Sequence, residues 1–495
     1  MSTAKKFAGQ TTIYGLSTIV QRLLSSLLTP LYTRAYLPRV YSIFSTLFSY
    51  ASIIQAILAF GMETTFFRYI NKFPDRKQRV YSNGCWIIGM VSILFLVTTL
   101  PFTHTLAGLI RIGKDTSLGE YELYIRCFIA VLVLDAWCVI PFAKLRAEER
   151  PVKYGFIRLV NILITVLLNV IFILVIPYWI RQHLYGGHWL ATWYVPGWVA
   201  YAFFSNLAAS FITFVMLLPE WRQVQLTPDR DMLKSMLIYS GPILIANLSY
   251  LVNENLDKIL LGKLLPAGVS EQEVGIYAAC ARLSVFLSLF NQAFRMGAEP
   301  FFFSHAKNKN AGLTYARIMD YFIIVMCLLF VGVIANIELL KHYVNNRAYW
   351  VGLDVVPPLL FGYVCLGIYI NLSVWYKLSD QTRYGLYISG IGALVTIGLN
   401  VLFIPRYSYM ASAWTSLIAY LLMMILSWRW GQQNYPIPYR LTKNLAYLLT
   451  SVGLVYLSFY VFKRNLLAGN ALLLGFAAVA CCLEWKELKT LFSKS

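Results

Sequence analysis

Ten ionisable side chains are the mid-span candidates within the long apolar runs of this sequence: Arg22, Glu63, Arg126, Asp135, Glu254, Asp257, Lys258, Arg282, Arg295 and Glu299. At membrane depth each such group costs several kcal/mol, so it must face a cavity or a partner. Arginine presents a planar fork of donors that suits phosphate, and a carboxylate in an apolar setting can exchange a proton or hold a cation. The spacing groups them. Glu254, Asp257 and Lys258 fall at i, i+3 and i+4, hence on one helix face. Ser288, Gln292, Arg295 and Glu299 share another, and Arg22, Ser26, Thr29 and Thr33 form a polar stripe. Arg126 and Asp135 are nine residues apart and point opposite ways, so at most one of them lines a cavity. A blander account is local neutralisation, with Glu254 against Lys258, Arg295 against Glu299, and Glu63 against Arg68.

The elements that carry these groups are set by composition. The 495 residues are 59% hydrophobic and 13% charged, with mean hydropathy +0.62. Soluble chains carry roughly 25% charged residues. Cytosolic enzymes, disulfide scaffolds and nucleic-acid-binding domains are excluded. The net charge of +20 is not a nucleic-acid surface, because the Lys and Arg residues fall in short loops between apolar runs. A span needs about 20 apolar residues. Fourteen fit, roughly at 11–36, 40–67, 80–101, 119–144, 154–178, 192–218, 234–262, 273–304, 312–336, 351–376, 384–404, 408–430, 441–462 and 467–484. The basic excess in alternate loops, such as Lys144, Arg146, Arg150 and Lys153, puts both termini on the cytoplasmic side. No cleavable signal peptide is expected at the N-terminus. All eight cysteines read as small buried hydrophobes without metal spacing. The segment 178–198, with His183 and His188 but no carboxylate, reads as an interfacial hairpin outside. No G-x-x-x-x-G-K-[ST] occurs, so nucleotide does not drive this chain.

Three pairs of segments repeat in order. YLPRVYSIF around Tyr41 is similar to LLP…VGIYAA around Tyr277, at an offset of 236 (277 − 41). GMETTFF at Gly61 is similar to GAEPFFF at Gly297, again 236 (297 − 61), and TVLLNVIFI at Asn169 is similar to TIGLNVLFI at Asn400, at 231 (400 − 169). The offset covers six helices, an even number, so the copies share one orientation. Such parallel repeats form two lobes with the substrate between them. The expected organisation is all-α and polytopic: an N-terminal lobe at 1–220, a C-terminal lobe at 221–432, and two extra helices with a cytoplasmic tail at 433–495.

The opening YGLSTIVQRLLSSLLTPLYTRAYLPRVYSIFS resembles the first helices of the polysaccharide-export branch of the MOP flippase superfamily, which includes the Wzx-type O-antigen flippases. FGMETTFFRYINK, IPFAKLRAEERPVKYGFIRLVNIL and NENLDKILLGKLLP…VGIYAACARLS continue the resemblance in order. It covers about residues 10–430. Relatives of that family include the lipid II flippase MurJ and the multidrug (MATE) antiporters. The resemblance implies a V-shaped fold of fourteen transmembrane helices. It also implies a non-enzymatic transporter in the bacterial inner membrane that flips undecaprenyl-diphosphate-linked oligosaccharide by alternating access.

On this reading Arg22, Lys258, Arg282 and Arg295 bind the anionic substrate. Glu63, Asp135, Glu254, Asp257 and Glu299 are the candidates for ion coupling. No cofactor is expected beyond a coupling H+ or Na+, and no metal site. The partners would be the lipid-linked glycan, the bilayer and polysaccharide polymerase or assembly proteins, with the chain itself a monomer. The nearest alternative is a multidrug cation antiporter of the same fold, which would favour an acidic cavity. A polymerase or ligase would need a large reactive outer loop.

Overall fold

The computed structural model of the protein describes residues 20–21, 23–112, 116–305, 310–379 and 381–492. Every regular element among them is helical. Among the described residues eleven helical stretches are long and apolar enough to cross a membrane, and Ala200–Met216 is a shorter apolar helix. The protein is therefore a multi-pass membrane protein. Backbone polar groups in hydrocarbon must be satisfied within the chain, which helices do. By contacts the chain divides into Met1–Ala278 and Ala279–Ser495.

The first unit contains α1 (Leu28–Ala35), α2 (Pro38–Ala59), α3 (Met62–Lys72), α4 (Lys77–Thr99), α5 (Leu118–Ala147), α6 (Pro151–Val170), α7 (Ala200–Met216) and α8 (Arg230–Leu264). The span expected at 40–67 is interrupted. Phe60 (φ 48) and Gly61 (φ 63) are both left-handed, which ends α2 and re-aims the chain. A Cβ on Gly61 would also lie 2.9 Å from Ile243 Cγ2. The following α3 is amphipathic: Met62, Thr65, Phe66 and Tyr69 are buried at helical spacing, while Glu63, Arg68 and Lys72 are exposed. α6 runs into a π-helical turn, Ile171–Val175, and then Ile176–Arg181. α7 packs on α5 and α6, and α8 packs on α2 and α3. These last contacts place α8 in the first unit, a different division from the repeat-based boundary at 220/221. The join is close: a Cβ on Gly275 would fall 1.9 Å from the Pro38 carbonyl oxygen.

α9 (Ser270–Ala281) leads into the second unit, made of α10 (Val285–His305), α11 (Ala311–Ala335), α12 (Val356–Leu372), α13 (Arg383–Asn434), α14 (Leu441–Tyr456) and α15 (Leu466–Phe492). α13 counts 52 residues but has Ser408 at φ 50, ψ −138, a break between two helical arms. Those arms match the separate spans expected at 384–404 and 408–430. α12 lies along α13 around Trp375, which is 1% exposed and donates Nε1–H to the Ser427 carbonyl at 3.1 Å. α14 and α15 both pack on α11. Six cysteines are buried as expected. Cys481 and Cys482 are exposed on α15, contrary to the sequence reading, because the apolar run around them has no neighbour on that face.

Candidate functional site

The most enclosed charge cluster of the first unit joins α8 to α9. Asp257 is 4% exposed. Its Oδ1 accepts hydrogen bonds from Lys258 Nζ at 3.1 Å and from the Lys258 backbone N–H at 2.8 Å. Its Oδ2 accepts one from the hydroxyl of Tyr277, itself 1% exposed. One turn earlier Asn253 is 2% exposed. A carboxylate taken out of water needs such donors, since leaving it unpaired costs several kcal/mol. The Lys258 side chain keeps 18% of its surface exposed while its ammonium pairs with Asp257. Of the expected helix-8 trio, Asp257 and Lys258 are brought together with Tyr277. Glu254 is half-buried on the same helix.

The remaining acids of this unit meet partners the spacing did not indicate. Glu63, expected at membrane depth, has 52% of its side chain exposed and is ion-paired with Arg146, not Arg68. Its place on the exposed face of α3 is the cause. Arg68 instead lies 4.1 Å from the Tyr239 ring centroid. Arg146 stands in the last turn of α5, and Lys153 in the first turn of α6 pairs at 2.6 Å with Glu220, 2% exposed. Asp135 sits beside the Ser210 hydroxyl of α7 and the Arg158 guanidinium of α6. Arg126 is paired at 2.5 Å with Glu122, one turn earlier, and is 61% exposed.

In the second unit Arg282 and Arg295 are both exposed. Thirteen residues of helix separate them, or roughly 20 Å at 1.5 Å per residue. A single diphosphate does not span that distance, so the two guanidinia cannot grip one ligand side by side. Arg22 and the side chain of Glu299 lie outside the described residues. The sequence reading passed over Asp320, 1% exposed in α11, with Arg440 Nε at 3.7 Å and Lys443 Nζ at 4.0 Å. It also passed over Glu484, which pairs with Lys443 at 2.7 Å and accepts from the Tyr447 hydroxyl at 3.1 Å. An Asp within the run 312–336 was the available signal.

Residues 7–305 match the profile of the family of polysaccharide biosynthesis proteins. Among solved structures, the lipid II flippase MurJ in its inward closed conformation is similar with TM-score 0.71 at 12% identity, covering 94% of this chain and 98% of that one. An inward-facing multidrug resistance MATE family transporter of the MOP superfamily gives TM-score 0.63 at 14% identity, covering 86% and 94%. An outward-facing one gives 0.57 at 14%, covering 87% and 95%. No curated protein sequence matches the chain. At these identities the structures speak to the fold, and the profile speaks to the family. With the match extending over residues 7–305, the chain belongs to the polysaccharide biosynthesis protein family and has the MurJ- and MATE-like fold of the MOP superfamily.

Proposed function

We propose that the chain is a flippase that carries a polyprenyl-diphosphate-linked oligosaccharide from the cytoplasmic to the outer leaflet of a bacterial inner membrane. The observation that carries this reading is the family match, joined to a fold also seen in a lipid II flippase. Fourteen crossings follow if the two arms of α13, the shorter α7 and the run 11–36 are counted with the other long helices. That even number puts both termini on one side, and the basic excess in alternate loops argues for the cytoplasmic one.

The proposed substrate path is basic. Lys258 in the first unit and Arg282 and Arg295 in the second are the proposed contacts to the diphosphate, with Arg22 a candidate from the sequence alone; Arg282 and Arg295, about 20 Å apart along the helix, do not form one rigid cradle. Arginine in this number disfavours a cationic drug, and the antiporter reading is set aside on that ground. Asp257 is the proposed coupling acid, because it is buried, its charge is balanced by Lys258 and it also accepts from the Tyr277 hydroxyl. Glu63 is a poorer candidate: its exposed pairing with Arg146 leaves it in a wet setting.

The test is reconstitution. The purified chain in liposomes should move a fluorescent polyprenyl-diphosphate sugar between leaflets, faster with an imposed pH or sodium gradient. Arg282→Gln and Arg295→Gln should each slow it at least tenfold with normal insertion. Movement no faster than in empty liposomes would overturn the proposal.

A further inference from the structure

The first unit holds a second feature that neither the charge cluster nor the transport path uses. It is a cavity of about 750 Å³ between the end of α1, the π-helical turn after α6 and the segment that leads into α7. Pocket volumes of roughly 300–1,000 Å³ suit small-molecule ligands. The local sequence explains the opening. The π-helical turn at Ile171–Val175 is followed by Pro177, a residue that cannot donate to the preceding turn.

The walls are rigid and aromatic. Tyr201 stacks between Phe172, at 4.8 Å and 10°, and Tyr194, at 5.2 Å and 4°. The Tyr194 hydroxyl donates to the Phe172 carbonyl at 2.8 Å, and the Val195 N–H donates to the Tyr201 hydroxyl at 2.9 Å. Such fixed rings lower the ordering cost of a ligand that lies on them. Two guanidinia, Arg34 and Arg181, line the same cavity with Gln182, and no carboxylate among the described residues lines it. Neither arginine is in an ion pair among the described residues. The carboxylate of Glu120 is directed elsewhere, accepting from Trp198 Nε1 at 3.2 Å and closing the cap at Ser117.

Two unpaired arginines beside an aromatic stack and an amide are complementary to a ligand that carries both phosphate and a sugar ring. Arginine grips phosphate oxygens through two parallel N–H donors. The flat faces of Tyr194 and Tyr178 present apolar area to the ring C–H groups, and Gln182 offers donors and an acceptor to hydroxyls. A plain interfacial belt would explain exposed rings such as Tyr185 and Trp189, but it does not call for a walled cavity with two arginines.

We infer that this cavity is a binding site for a sugar diphosphate, a station for the headgroup on the face proposed to be outer. The inference rests on the transport reading for the identity of the sugar carrier. The site itself is tested by binding alone.

The test uses the full chain in nanodiscs, with Cys481→Ser and Cys482→Ser to remove the exposed thiols and Gln182→Cys to report on the cavity. A ten-carbon prenyl-diphosphate N-acetylglucosamine should protect the new thiol from a maleimide. Inorganic pyrophosphate should protect only at concentrations at least tenfold higher. Adding Arg34→Gln and Arg181→Gln should raise the half-protecting concentration more than tenfold, and the Arg→Lys pair should recover part of it. Both arginines are exposed, so folding should be kept, as a matching thermal midpoint will show. Equal protection in the Gln pair would overturn the inference. So would protection by phosphatidylglycerol discs without the sugar ligand, which would mark a phospholipid headgroup site. A chain that binds here but moves no lipid refutes the transport reading and leaves this one standing.

Discussion

Ser412 donates its hydroxyl to Asn400 Oδ1 at 2.9 Å, although both belong to one continuous helical assignment twelve residues apart. In a straight helix that separation is about 18 Å. The two arms of α13 therefore fold back on one another through the break at Ser408, and a buried amide ties them. Asn400 also donates to the Thr396 carbonyl at 2.8 Å. Its repeat partner Asn169 does the same to Thr165 at 2.7 Å and accepts from the Tyr32 hydroxyl at 2.9 Å. Both asparagines are 0% exposed.

The hairpin bond should be measurable. Asn400→Ala and Ser412→Ala each leave a buried polar partner unsatisfied, at a cost of about 1–3 kcal/mol. Thermal unfolding in detergent should show both losses, and the double variant should lose less than their sum. Strict additivity would mean the bond does not couple the arms.

These pairs show what the sequence could and could not convey. The repeat was legible because the same side chains recur in the same packing: Tyr41 and Tyr277 are each 1% exposed, and Phe66 and Phe302 are 0% and 2%. The glycines of the second pair diverge. Gly61 ends a helix at φ 63, whereas Gly297 lies inside α10. Hydropathy averages over a window and cannot register one left-handed residue, so Glu63 was placed at depth when α3 turns it outward. The partners of the charges were hidden for another reason. Local spacing proposes i, i+4 neighbours, but Arg146 reaches Glu63 across 83 residues and Lys443 reaches Glu484 across 41. Lys443 and Arg440 look like ordinary basic residues between two apolar runs, and nothing in their local spacing indicates the contact with Asp320.

The closeness of Gly275 to Pro38 gives a stability prediction. A methyl 1.9 Å from a carbonyl oxygen cannot be absorbed by a rotamer change, since the neighbour is backbone. Gly275→Ala should cost at least about 3 kcal/mol or prevent accumulation of folded protein. A melting midpoint within two degrees of the parent would contradict the packing of α9 on α2. Gly453, with nothing within 4 Å of its Cβ position, is the control and should tolerate alanine.

The anchoring of α14 and α15 should depend on Lys443 more than on Arg440. Lys443 serves both Asp320 and Glu484, and its side chain is 23% exposed, while Arg440 lies 3.7 Å from Asp320 with 47% of its side chain exposed. Removing one partner of a buried ion pair costs roughly 3–5 kcal/mol, and exposed pairs contribute 1 kcal/mol or less. Lys443→Met should therefore lower the melting midpoint and speed protease cleavage around residues 434–441 much more than Arg440→Met. The reverse order would show that the Lys443 pairs are solvated in the membrane-embedded protein.

The coupling proposal separates three substitutions that hydropathy treats alike. Asp257→Asn keeps the size and hydrogen-bonding capacity of the side chain but can no longer gain or lose a proton. It also leaves Lys258, with its side chain only 18% exposed, without a counter-charge, so the ammonium becomes freer for the diphosphate. Transport down a lipid gradient should persist in this variant, and stimulation by a pH or sodium gradient should vanish. Tyr277→Phe removes one donor to Asp257 and keeps the titratable group, so it should slow transport several-fold while stimulation survives. Glu63→Gln breaks an exposed pair with Arg146, worth about 0–1 kcal/mol in water, and should leave both readouts near those of the parent. The comparison is made in liposomes with the same lipid reporter, each variant matched for inserted protein. Gradient stimulation that survives Asp257→Asn but disappears in Glu63→Gln would move the coupling site from the α8–α9 cluster to the α3 surface, because only a group whose protonation differs between conformations can draw on the gradient.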